Sequence, residues 1–593
     1  MHKPLFASLA ALAALLFSVS FLFASGGPQI LPLHEIKPGM KGVGYTIFSG
    51  DQIQSFDVEV IGILPNLVGP KQNVVLVKLS SPEIAKSGVV AGMSGSPVYI
   101  DGKLAGSISY KFGMFTSEAI AGMTPIEEEL AVDGQKPVAP GGPAKARSSA
   151  SLRYAVPDAW AQQVSVGSGA YLEPIASPVV FSGFLPSVVG QYSGQLEKYG
   201  MVTTEGGSVP PSATDAALKP GDMAGIVLIS GDLSVAAGCT VTARIGNRVY
   251  LCGHPLFGFG NVDIPLARAH VVATLASAMS STKIMNTGGV IGRITEDRLT
   301  GVMGRIGPGA PMIPVDLSVG EGASSKQFHF DVMENSKLTP LLVAMATLNG
   351  VRSNLTYNEG TTFQLDGSID IAGHSTVHLD NMFAPTDQPL PDASPIAAEV
   401  ETVFAEIFNN PYERPQITGI HLAVRSLPSA RWATIESAWS DAKTVHPGET
   451  VTIKVAMRPY RGAPLIRDVP ITIPLQASPG PLQVLVSDAG TLDRIEQYFP
   501  FGPRERVGGL EQLIGLLNQE PRNDRLYVTL LQSSPTLLLQ DKRLPNVPLS
   551  EINVLGQRNP GQTTVLWQSE LAERWVPMHE VVTGNQHISI TVK

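Results

Sequence analysis

The sequence predicts a mainly β protein. Three observations carry that reading. Glycine and proline number 59 and 47 in 593 residues, about 18% against an average usage of ~12%. Charged residues make up only 16%, beside an ordinary apolar share of 44%. Short segments alternate apolar and polar residues. Disordered chains have the reverse signature, high charge and low hydrophobicity, whereas abundant Gly and Pro suit many short strands joined by tight turns. At ~150 residues per domain the length allows about four units. A net charge of −9 leaves no basic surface to neutralise phosphates, so nucleic acid is not an expected partner.

The N-terminus has a targeting pattern. His2 and Lys3 precede an apolar run from Leu5 to Phe23, followed by Ala24-Ser25-Gly26-Gly27-Pro28. Weak positive charge, an apolar stretch and small residues, in that order, predict a signal peptide over residues 1–26, cleaved near Ala24, and hence a periplasmic or secreted protein. An uncleaved run would be long enough to anchor the chain in a membrane. Beyond it the sequence has no stretch of 18 uninterrupted apolar residues.

Residues 27–133 form a first β block. Ser55-Phe56-Asp57-Val58-Glu59-Val60 alternates, Asn73 to Leu79 is β-branched and apolar, and Asp101-Gly102 between two apolar runs is a hairpin signal. Residues 134–151, rich in Pro, Gly, Ala and Ser, read as a linker. A second β block, 152–325, holds the chain's two cysteines, Cys239 and Cys252, on either side of a hairpin predicted to turn at Gly246-Asn247. Such a hairpin brings two sulfurs near enough to bond, and an exported protein permits it; the alternative is a pair of thiols packed as small hydrophobes. Their spacing does not suit zinc. Residues 326–430 read as mixed α+β with helices over 339–348 and 396–408, and 431–489 as a small Ig-like β-sandwich. Residues 490–593 read as α+β, with Leu510, Leu513, Ile514 and Leu517 on one helix face and a last strand at 588–592.

The candidate chemistry lies in Gly92-Met93-Ser94-Gly95-Ser96-Pro97, just before the Asp101-Gly102 turn. A serine becomes a nucleophile when a base takes its proton. Glycines on either side of Ser94 allow a sharp turn that presents its Oγ and aims the amides of Gly92 and Ser94 at one point, as a developing oxyanion requires. The base must come from elsewhere in the chain. His254, in Cys252-Gly253-His254-Pro255 at the end of the second hairpin strand, is the first candidate, and His34 is its local competitor. His374 and His378 read as surface residues without a carboxylate cluster nearby, and His329 and His421 have no distinguishing context. No phosphate-cradling loop or metal-ligand cluster is evident, so no cofactor and no metal are expected.

These residues resemble the SpoIVB serine peptidases of the trypsin-like superfamily. Residues 88 to 103, Gly-Val-Val-Ala-Gly-Met-Ser-Gly-Ser-Pro-Val-Tyr-Ile-Asp-Gly-Lys, are similar to that family's nucleophile segment, and Ala224 through His254 to the segment carrying its histidine. The resemblance implies a trypsin-like double β-barrel made from the two β blocks, with Ser94 as nucleophile and His254 as general base. It also implies a protein or peptide substrate. Two departures stand out. The serine block precedes the histidine block here, which a triad tolerates because geometry defines it. Ser81 before Pro82 stands where the family has aspartate, leaving Asp263, Asp297 or Glu83 as substitutes for the third member. The family's peptide-binding PDZ module is not evident. The leading expectation is an exported serine endopeptidase. The alternative is a catalytically inactive member of the same fold acting as an envelope binding or assembly module. No paired-carboxylate signature supports a carbohydrate-cleaving enzyme.

Overall fold

A computed structural model describes residues 27–113, 118–133, 152–164, 169–206, 217–277, 280–320, 325–354, 360–385, 393–498, 508–532, 535–539, 542–544, 547–558, 563–566 and 569–593. The expected signal peptide and the expected linker lie outside them. The protein is mainly β.

The first block closes into a ring. Strands β1 (Lys41–Thr46), β2 (Gln54–Gly69), β3 (Gln72–Ser80), β4 (Ser96–Ile100), β5 (Lys103–Phe112) and β6 (Ile120–Pro125) pair in the order β4-β1-β2-β3-β6-β5, and β5 returns to β4. Alternation does the work in β2, where Phe56, Val58 and Val60 point inward and Ser55, Asp57 and Glu59 outward. The β4–β5 hairpin turns at Asp101-Gly102, both at positive φ, the backbone of a two-residue primed turn. Two short strands, β7 (Tyr154–Ala155) and β8 (Tyr171–Pro174), extend the sheet beyond β5.

The chain then crosses to a second barrel, entering at β9 (Ser177–Ser182) and β10 (Met201–Glu205). Strands β11 (Met223–Gly231), β12 (Ser234–Ile245), β13 (Arg248–Leu251), β14 (Gly260–Leu275), β15 (Thr282–Arg298) and β16 (Gly301–Ile306) pair as β12-β13-β16-β15-β14-β11, with β11 returning to β12. The β12–β13 turn falls at Gly246-Asn247. The fold is therefore a double β-barrel, as the resemblance implied.

The sheet does not stop at residue 325. β17 (Met312–Val319) pairs with β18 (Lys326–Met333), which also pairs with β11, and the sheet continues through β21 (Ile417–Leu427) to β19 (Thr362–Ile371) and β20 (Val377–Phe383). The helix Thr339–Asn354 is buried along most of its length, and the amphipathic helix Leu510–Leu517 packs its four leucine-type residues into the same core. The boundary expected at 325/326 thus falls at the start of a shared strand.

The C-terminal sandwich is likewise larger than the local pattern suggested. Strands Trp432–Ser440, Thr450–Pro459 and Leu465–Thr472 form one sheet with Val581–Thr583. The facing sheet takes Gly480–Ser487, Arg525–Gln532, Ser569–Pro577 and Asn585–Val592. Ile453, Val455 and Val469 meet Val484, Val528 and Ile590 in one core. Half of this sandwich comes from the region expected to be a separate α+β unit, because its partners are remote in sequence.

Candidate active site between the barrels

The nucleophile turn is held where the two barrels meet. Gly92 and Gly95 both take positive φ, near 90°, so the chain does turn sharply about Ser94. A Cβ at Gly95 would come 2.5 Å from the Cys252 amide nitrogen and closer still to the Thr240 carbonyl; only glycine lets the second barrel approach so near. Three β12 groups grip the turn. Thr240 N–H donates to the Ser94 carbonyl, Thr240 Oγ1 to the Gly92 carbonyl and Thr242 Oγ1 to the Gly95 carbonyl, all at 2.8 Å.

Cys239 and Cys252 are joined in a disulfide. The Ser94 hydroxyl, fully buried, donates to Cys239 Sγ at 3.8 Å. The exposed Oγ expected from the sequence is therefore covered in this arrangement, and its bonding partner is a sulfur. Cys252 (φ 70°) and Gly253 (φ 67°) both adopt left-handed backbone, a conformation costly for a non-glycine residue, and this double turn delivers His254 into the interface. Gly253 O accepts from Thr124 Oγ1 of the first barrel at 2.7 Å.

His254 is buried. Its Nδ1 lies 2.8 Å from the Pro255 carbonyl. A carbonyl can only accept, so Nδ1 carries the proton and the neutral ring keeps its lone pair on Nε2. Nε2 is buried and makes no hydrogen bond. Burial pushes the imidazole down to about 4, against an opposing pull from backbone groups of Pro255 and Ile175. The structure thus sets the Ser94 hydroxyl on Cys239, bonds Cys239 to Cys252 and puts His254 two residues beyond, while the hydroxyl and the imidazole each engage other groups.

Two of the three acids named as third members, Asp297 and Asp263, occupy other roles. Asp297 Oδ1 accepts the Leu256 amide at 2.8 Å, and Oδ2 accepts those of Phe257 and Gly258 at 2.8 Å and of Phe259 at 3.4 Å. It fixes the loop after His254 and leaves Nδ1 to Pro255. Burial raises its carboxyl despite those four amides. Asp263 pairs with Arg293 at 3.1 Å. Ser81, where the family has aspartate, caps the helix Pro82–Ser87 by accepting the Ile84 amide, with Glu83 in its first turn. Of the two amides expected in the oxyanion hole, that of Gly92 donates to the Ala176 carbonyl at 3.1 Å.

Two buried ionisable groups gave no sequence signal. Lys283, in β15, is fully buried. Its Nζ donates to Thr46 Oγ1 at 2.8 Å and Thr240 Oγ1 at 3.4 Å, and burial pushes the amine down to about 7. Cys239 and Thr240 are successive on a strand and point to opposite faces, so Lys283 braces the turn on the side away from Ser94 Oγ. Glu129 is also fully buried, accepts from Ser107 Oγ at 2.7 Å, and is pushed up to about 7 by burial. Ser107 and Ser109 lie so close to Gly253 that a Cβ there would collide with both hydroxyls.

Elsewhere, His374 lies between Glu413 at 3.2 Å and Glu511 at 3.3 Å, which corrects the expectation of no carboxylate neighbours. Pairing of β17 with β18 and β21 sets Asp316 between His329 at 2.7 Å and His421 at 3.0 Å. Among the described residues no group of three or more His, Cys, Asp or Glu is arranged to hold a metal ion, and no helix is long and apolar enough to cross a membrane.

The profile of the SpoIVB peptidase S55 family matches residues 27–123, the ring of β1 to β6 with the Ser94 turn inside it. The second block that resembles the family, around His254, lies outside the matched residues. No curated protein and no solved structure gives a significant match. Over residues 27–123 the N-terminal barrel is similar to the SpoIVB peptidase S55 family.

Proposed function

We propose that the protein is an exported serine endopeptidase, with Ser94 attacking the scissile carbonyl of a polypeptide substrate and His254 taking and returning the proton. The observation that carries this reading is the state of His254: a neutral imidazole with its proton held on Nδ1 by Pro255 and a free lone pair on Nε2, in the same interface as the family's nucleophile turn. A general base needs that tautomer. Asp297 acts on the loop rather than on the ring, so the working unit is a Ser–His pair positioned by backbone. Catalysis requires Ser94 Oγ to leave Cys239 Sγ for Nε2, and the Gly92 amide to leave Ala176 so that it can join the Ser94 amide in holding the oxyanion. The apolar N-terminal run supports export to the periplasm or outside the cell, with attachment to a membrane if that run is retained. Neither step of the chemistry calls for a cofactor.

A fluorophosphonate probe tests the proposal. The full chain should label, Ser94→Ala should not, and His254→Ala should label at least a hundredfold more slowly. The sulfur-bonded hydroxyl favours a second reading, an inactive envelope binding or assembly module. Absence of labelling in folded protein, together with partner binding unchanged in Ser94→Ala, would establish that reading instead.

A further inference from the structure

The chain passes from the first barrel to the second through Ile175 and Ala176, which follow β8, and Ser177, the first residue of β9. Each of these three residues touches a different part of the site. The Ile175 backbone lies against the His254 ring, and its N–H is tied to Ser109 O at 2.9 Å. The Ala176 carbonyl accepts the Gly92 amide at 3.1 Å. Ser177 Oγ is 3.7 Å from Cys239 Sγ, the sulfur that also receives the Ser94 hydroxyl. Ile175 and Ser177 are buried, and Ser177 N–H is anchored on Gly200 O at 3.1 Å.

An oxyanion hole is a set of N–H groups waiting for a carbonyl oxygen, and here one such N–H already holds a carbonyl of the protein's own chain. An extended substrate would need the same amide and the same approach to Nε2. A link between two barrels can run anywhere on their surface; this one runs through the point where hydroxyl, imidazole and amide must converge.

We propose that Ile175-Ala176-Ser177 is a built-in strap that keeps the site closed, and that an extended polypeptide must displace it before Ser94 can react. The proposal rests on the peptidase reading of Ser94 and His254. It specifies a competition between one internal carbonyl and the substrate's carbonyl for the Gly92 amide.

Loosening the strap tests this in the full-length chain. Ile175→Ala removes its buried anchor, and Ser177→Gly frees its far end. In each variant, fluorophosphonate labelling should accelerate at least tenfold over the unaltered protein, measured against a Ser94→Ala blank in the same background. Hydrogen exchange of the peptide covering residues 90–95 should rise in parallel. If the variants do not fold, the unaltered protein serves: in urea below its unfolding transition, labelling and exchange of that peptide should rise together, since one opening governs both. Labelling of the unaltered protein above its blank, with no change on loosening and no link to exchange, overturns the strap alone. Labelling that never exceeds the Ser94→Ala blank in any background overturns the strap and the peptidase reading together.

Discussion

Ser107 Oγ donates to Glu129 Oε2 at 2.7 Å, while Glu129 Oε1, equally buried, has no hydrogen-bond partner. A carboxyl so placed holds its proton up to about pH 7, against an ordinary 4.5. The native state therefore binds this proton more tightly than the unfolded chain. Its stabilising effect is complete below pH 4.5 and is lost as the pH rises through 7. Glu129→Gln, which never ionises, should be the more stable protein at pH 8 by about 3 kcal/mol, because each pH unit between the folded and unfolded values is worth ~1.4 kcal/mol. The two should unfold alike at pH 4. Urea unfolding of both proteins at the two pH values checks this; a difference independent of pH would refute it.

Lys283 gives a slope of the opposite direction in pH, because its folded value is depressed where that of Glu129 is raised. Its folded value near 7 lies below the ordinary 10.5, so the unfolded chain binds the extra proton. Stability falls as the pH drops from above 10.5 towards 7 and levels off below 7. Lys283→Met removes the buried amine, and the difference between the two proteins should grow in the variant's favour over that interval. Thr46 and Thr240 then lose a donor, so the net gain at pH 7 should be less than the full linkage of roughly 5 kcal/mol. Unfolding midpoints at pH 7 and pH 9.5 decide it.

The acid limb of reactivity should lie unusually low. An imidazole must be neutral to accept the serine proton, and burial keeps His254 neutral down to about pH 4. Labelling of Ser94 should therefore hold steady from pH 7 to pH 5 and drop near pH 4, instead of falling near the ordinary 6.5. A profile with its midpoint near 6.5 would mean that the reacting imidazole is far better solvated than the one described.

The disulfide closes a short loop, with a sequence separation of 13 from Cys239 to Cys252, and such a closure stabilises by about 3 kcal/mol through the unfolded state. Cys239→Ser with Cys252→Ser should lower the unfolding free energy by that order, as read by urea titration. An unchanged midpoint would show that the covalent link adds nothing to a hairpin already held by both barrels.

What can be read from the sequence is what local rules govern. Asp101-Gly102 and Gly246-Asn247 specify tight turns by their own backbone preferences, Gly92 and Gly95 permit the turn about Ser94, and Leu510 to Leu517 repeats with the helical period. The closed barrels come through family likeness. Groups whose character depends on distant chain are hidden. Lys283 is a lone lysine in a strand, and only the pressing together of two barrels strips it of water. Glu129 lies in a short helix of three acids, and nothing local marks it as the buried one. Asp297 is named from the sequence as a substitute for the third catalytic member, but four loop amides rather than the imidazole claim its oxygens. The strap at 175–177 carries no local signal, because ordinary residues acquire that position only by where the crossing runs.

The order of the two barrels along the chain has a consequence for biosynthesis. The hydroxyl at position 94 leaves the ribosome well before the imidazole at position 254, by ~10–30 s at ~5–20 residues per second. The crossing at 175–177 also emerges ahead of the histidine. A nascent or truncated product that ends before residue 254 thus carries the Ser94 turn without the imidazole that the proposed chemistry needs.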